Sequence, residues 1–343
     1  MVFMRIITCA SYYGTGSSAI TDFFSECENI FCMGDYEYRF LNEPDGIADL
    51  EYNIVENNHR HNTSDAIKRY LKYVNSLKNM GYGGYDVFGQ QFEKLTERFI
   101  SDITQLKTHT WWNKDRVDKG QVFCFIDRCY SLARRILSGD LHTEKKYSLL
   151  RNREWGYYTA ISEDKFLEAV RNYVDDLLQS ANKENLPYIM VDQMVPPTNT
   201  ERYIRYFNDV KVFVVDRDPR DTYLLEKIFW QWGIIPVDSV EEYVKWFKIT
   251  RKYAHSEHED SKRILRIQFE DMIYKYEDMR RTLLEFAGIS ESAHVRPQTK
   301  FNPDISIRNT NLKKRINGYE KDIEYIEKNL RDYLYDFNQT GDR

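Results

Sequence analysis

Continuous apolar runs recur along the chain, separated by stretches of helical period. Residues 4–10 (MRIITCA) form a β-branched run, and the loop 11–16 divides it from a helical pattern opening near Ser17. A second run, 30–40, ends at the turn Glu43-Pro44-Asp45-Gly46. Over about 47–154 the pattern becomes helical, polar and aromatic, with helices expected at 63–79, 92–106 and 122–137. After a helix around 164–181 come the runs 187–192 (PYIMVD) and 210–215 (VKVFVV). These are continuous rather than alternating, as strands covered on both faces are. A helix from Asp221, another over 240–258, a strand at 263–269 (RILRIQF), a helix over 276–286 stopped by Gly288, and a last helix from Leu312 to about Phe337 complete the reading.

Strands alternating with helices predict an α/β fold, a doubly wound parallel sheet flanked by helices. No repeat, low-complexity tract or linker divides the chain, so one domain over 1–343 is expected, with a large helical insertion at 47–154.

Composition narrows the picture. Apolar residues at 42% and 26 Tyr with 19 Phe exclude intrinsic disorder. A net charge of −5 argues against bulk binding to nucleic acid or anionic membrane. The longest apolar stretches fall far short of the roughly 18 residues of a spanning helix. The N-terminus lacks a basic leader, and five cysteines suit reduced thiols, so a cytoplasmic protein is expected. Cys27 and Cys32, and Cys124 and Cys129, lack CxxC spacing, so no metal is expected.

Two segments invite chemistry. The loop Tyr13-Gly14-Thr15-Gly16-Ser17-Ser18 follows a strand and opens a helix, where backbone N–H groups hold phosphate. It has no Lys and is not a Walker A loop. The turn Asp216-Arg217-Asp218-Pro219-Arg220-Asp221 follows a buried run, and an arginine at such a strand end can fork onto a phosphate.

In this order, YGTGSS, DRDPRD, RIQFEDM and FNPDISIRNTNLKKR resemble the P-loop sulfotransferase family, of bacterial or glycan-directed type. The resemblance covers the sheet and both ends of the chain but not the insertion. It implies the donor 3′-phosphoadenosine 5′-phosphosulfate, whose product is adenosine 3′,5′-bisphosphate. It implies further that Tyr13 to Ser18 cradle the 5′ group, and that Arg217, Arg308 and Asn309 bind the 3′-phosphate side. Two departures stand out: Gly14 replaces the usual loop Lys or Arg, and Leu225 occupies the place of a usual Ser.

On this resemblance Glu37 is the expected base, with His109 in Lys107-Thr108-His109 as competitor. Arg39, two residues beyond Glu37, is expected to orient the carboxylate or an anionic acceptor. Asp192 and Gln193 are expected to hydrogen-bond a polyol, and Trp111, Trp112 and Trp155 to stack on sugar rings. The implied reaction is in-line sulfuryl transfer to a hydroxyl acceptor, a carbohydrate, with the insertion forming the acceptor cleft. A homo-oligomer contact in the insertion is also expected. The alternatives are a phosphotransferase with a degenerate phosphate loop, or a non-catalytic nucleotide- or glycan-binding module of the same fold.

Overall fold

The computed structural model describes residues 4–79, 84–142, 144–254 and 260–339. Its strands are β1 (Arg5–Ser11), β2 (Ile30–Glu37), β3 (Leu106–His109), β4 (Trp155–Tyr158), β5 (Tyr188–Asp192), β6 (Val210–Asp216) and β7 (Ile264–Gln268). Its longer helices are α1 (Ser17–Ser25), α2 (Arg60–Asn79), α3 (Gln90–Asp102), α4 (Gly120–Leu137), α5 (Glu163–Ala181), α6 (Val240–Arg251), α7 (Tyr276–Ala287) and α8 (Glu320–Asn329).

Five strands form one parallel sheet in the order β2-β5-β1-β6-β7. Each strand residue faces the side opposite its neighbour, and β1 shows the consequence. Ile6 and Ala10 pack with α2 and α5, whereas Ile7 and Cys9 pack with α1 and α7. Helices therefore cover both faces, and the sheet is doubly wound, an α/β fold. A third cluster, built on Tyr243, Phe247, Ile323 and Ile326, joins α6 to α8 beside the sheet.

Three elements differ from the sequence expectation. The helical pattern at 92–106 stops at Asp102, and the chain then enters β3, which pairs antiparallel with β4. All four β3 residues are exposed, so no alternation marks the strand in sequence. The last helix spans only Glu320–Asn329, because Gly318 at φ +93° interrupts the run and short 3₁₀ turns flank it. The helix expected over 240–258 ends at Arg251, and residues 255–258 lie outside the described residues. The segment 47–154 folds mainly as α2, α3 and α4.

Candidate functional site

Chain order reverses on either side of β1, so the C-terminal ends of β1, β5 and β6 open a crevice at the sheet edge. Into it the sheet delivers Ser11, Asp192 and Arg217. Glu37 joins them through a register shift: Cys32 faces Met190 but Glu37 faces Asp192, so the end of β2 bulges outward.

The loop between β1 and α1 is tied down by a hydroxyl. Thr15, fully buried, donates to the Val215 carbonyl at 2.7 Å and accepts from the Tyr12 N–H at 3.1 Å. Its side chain is thereby committed to the loop rather than turned to a ligand. Tyr13, Gly14 and Gly16 take positive φ values of 66°, 64° and 103°. A Cβ at Gly14 would overlap the Trp230 ring, and one at Gly16 the Phe269 ring. Gly16 caps α1 with no side chain of its own, and the first amides of the helix have no intrahelical acceptor.

A cleft of about 420 Å³ lies over this loop, lined among others by Ser17, Ser18, Arg217, Trp230, Phe269 and Asn309. Arg217, 4% exposed, donates through Nη1 to the Gly14 carbonyl at 3.3 Å and through Nη2 to the Asn309 carbonyl. Its plane sits 4.4 Å over the Phe269 ring, and its Nε is buried without a partner. Burial pulls the Arg217 pKa down, opposed by the carboxylates of Glu270, Asp221 and Asp218. Glu270 accepts from the Asp218 N–H, and burial pushes its pKa up to about 8 against the attraction of Arg217. Asp221 is pushed up to about 6, first by burial and then by Asp218.

Among the described residues that line the cleft, Arg217 is the one basic side chain, beside the carboxylates of Asp22, Glu37, Asp192 and Glu226. Glu226 binds the Gly233 N–H at 2.7 Å through one oxygen, and the other is buried without a partner.

A second cleft of about 540 Å³ adjoins the first, and Ser11 and Tyr13 line both. Arg39, Gln193, Pro197 and Tyr253 line this second cleft. At the junction the Arg39 guanidinium pairs with Glu37 at 2.7 Å and donates to the Tyr13 hydroxyl at 3.0 Å. Gln193 is buried at φ 58° and donates to Ser11 Oγ at 2.6 Å and Ser17 Oγ at 3.1 Å, clamping β1 to α1. Asp192 accepts from the Cys9 thiol at 2.7 Å. Burial first, and Asp192 second, push the Cys9 pKa up.

Two expected residues stand apart. His109 ends β3, exposed, with its ring stacked 3.7 Å from Trp155, and it lines neither cleft. Arg308 is exposed and outside the lining, its carbonyl held by Arg315. Trp111 and Trp112 line a separate pocket of about 120 Å³ with Arg60 and His61. Conversely, Glu226, Trp230, Trp232, Phe269 and Phe301 line the first cleft without having been expected there. The aromatic cluster Trp230-Gln231-Trp232-Gly233, closely following the Arg217 turn, is the sequence signal that points to two of the five.

The segment 294–312, which lends Phe301, Ser306 and Asn309 to the first cleft, covers it and is pinned at both ends by buried carboxylates. Glu26 accepts from His294 Nε2 at 2.7 Å and from the backbone amides of Gln298, Lys300 and Phe301. Asp221 accepts from the Asn311 and Leu312 amides, each at 2.8 Å.

No family model matches this chain, and no curated protein does. Among solved structures it is similar to the sulfotransferase STF1 from Mycobacterium tuberculosis, with 8% identity over 90% of this chain and 77% of that one, at a TM-score of 0.34. It is also similar to the sulfotransferase STF9 from Mycobacterium avium, with 13% identity over 97% of this chain and 76% of that one, at a TM-score of 0.37. Among the described residues no helix is long and apolar enough to cross a membrane.

Proposed function

We propose that this chain is a sulfotransferase that moves a sulfuryl group from 3′-phosphoadenosine 5′-phosphosulfate to an acceptor hydroxyl, with a carbohydrate as the acceptor class. The observation that carries the reading is Arg217: a buried guanidinium beneath the glycine loop, its Nε unpartnered, in the same cleft as the start of α1. A phosphate oxygen beside Nε satisfies that donor, and Gly14 and Gly16 let backbone amides close on a second anion. The free oxygen of Glu226 accepts an N–H or O–H, which a nucleoside supplies. These features fit a nucleotide with anionic groups at two positions.

The donor, when bound, supplies an activated sulfuryl group and a bisphosphate leaving group. In this reading the acceptor occupies the second cleft, and Glu37 takes the proton of its hydroxyl as the new oxygen–sulfur bond forms and the bond to the 5′-phosphate breaks. Glu37 is preferred to His109 because it lines the cleft that holds the loop, whereas His109 does not. Arg39 aims the Glu37 carboxylate and brings a cation to the junction that Gly14 leaves without one. A second reading, a nucleotide-binding module without turnover, is favoured by the single basic side chain among the described residues that line the first cleft.

Calorimetry with adenosine 3′,5′-bisphosphate, beside ADP, ATP and GDP, tests the assignment. The bisphosphate is expected to bind best, and Arg217→Ala to weaken it by roughly 10- to 100-fold, the scale of a lost charge-assisted hydrogen bond. Preference for ATP or GDP, or binding indifferent to Arg217→Ala, overturns the reading. Bisphosphate binding without sulfuryl transfer across a panel of sugars selects the binding module.

A further inference from the structure

We propose that α4 is the interface of a symmetric homodimer in which two copies of the helix pack antiparallel about Cys129. The inference stands apart from the sulfotransferase reading and rests on an unusual orientation. At 100° per residue, Val122, Phe125, Ile126, Cys129, Leu132, Ala133, Ile136 and Leu137 share an arc of about 140°. All eight are exposed, with Val122, Phe125 and Leu137 at 75%, 69% and 81%. The helix is docked through its other, more polar side. Asp127, its one buried residue, accepts from Ser148 Oγ at 2.9 Å and the Leu149 N–H at 2.6 Å. Those bonds fix the apolar stripe outward.

The stripe is the size a dimer needs. At about 100 Å² per aliphatic side chain and somewhat over half of each exposed, it presents roughly 500 Å². A standard interface buries about 800 Å² per partner, about 65% of it apolar in homodimers. A contiguous patch of that extent ranks with the largest found on monomers, and such patches are often functional.

The order of the side chains selects a second copy as the occupant. The stripe follows the alternating three- and four-residue spacing of helix seams, and it is nearly palindromic about Cys129. Val122 and Ile136 lie seven residues either side, Phe125 and Ala133 four, and Ile126 and Leu132 three. A two-fold axis through Cys129 sets each residue against its counterpart, so bulky Phe125 meets small Ala133 and the aliphatic pairs match. Antiparallel helices also oppose their dipoles favourably. A lipid surface fits less well. Arg134 lies over the Tyr147 ring and Arg135 donates to the Leu141 carbonyl at 2.6 Å, so both cations are turned onto their own chain.

Light scattering on the full chain across about 1–100 μM, the range of standard interfaces of modest affinity, tests the proposal. A dimer is expected, weakened at least tenfold by Leu132→Glu, with circular dichroism and melting showing the variant folded. In a Cys129→Ser background, mixed Val122→Cys and Ile136→Cys proteins are expected to cross-link to each other, and neither alone. A wild-type monomer at the highest concentration, a dimer indifferent to Leu132→Glu, or a folded monomer that cosediments with phosphatidylserine vesicles overturns it.

Discussion

Arg217 is unusual in having backbone carbonyls rather than a carboxylate as its direct partners, while three carboxylates stand around it in a dry environment. The consequence falls on Glu270, whose pKa of about 8 lies above its ordinary value. A raised carboxyl favours the folded state fully below its unfolded pKa, and that contribution disappears as pH climbs through the folded value. Asp221, raised to about 6, acts in the same direction over a lower window. Thermal stability is therefore expected to decline between about pH 5 and pH 8, with Glu270→Gln flattening the upper part of that slope. Melting curves of both proteins across this range check it, and a slope unaltered by the substitution contradicts the account.

Among elements, the strand, loop and first helix form a unit whose geometry Thr15 fixes. Thr15→Val keeps the shape but leaves the Tyr12 N–H and the Val215 carbonyl without their shared hydroxyl. A cost of about 2 kcal/mol is expected for stranding these buried groups, together with weaker bisphosphate binding. Urea denaturation and calorimetry measure both. This unit was legible in the sequence because a continuous apolar run, a glycine loop and a helical period meet there with nothing ambiguous between them. The hairpin of β3 and β4 was not, since four exposed residues carry no period and their partner lies across the intervening α4. The cleft was half legible. Loop and strand-end residues announce themselves by position, but Glu226 and Trp230 turn inward on a π-helical turn, Leu225–Trp230, that no ordinary helical spacing anticipates. Arg308 shows the converse: a motif placed it near the cleft, while its side chain lies at the exposed surface.

For the whole molecule, the important relation is between two clefts that, among the described residues, share Ser11 and Tyr13 and meet at the pairing of Glu37 with Arg39. Binding and turnover should therefore separate. On the proposed function, Glu37→Gln is expected to lower sulfuryl transfer by roughly 10²- to 10⁴-fold, the usual contribution of a general base, while bisphosphate affinity stays within a few-fold of wild type. Transfer assays and calorimetry on one preparation decide it; equal losses in both would assign Glu37 to binding instead. The two pinned ends of the covering segment bear on traffic through the first cleft. Glu26 at one end and Asp221 at the other make that cover a fixed strap rather than a door. On the proposed function, a nucleotide comes and goes past Trp232 and Ile234, which stand exposed on the lip. On that same reading, the residence time of the product is then set at the lip formed by Trp232 and Ile234 and not by the strap.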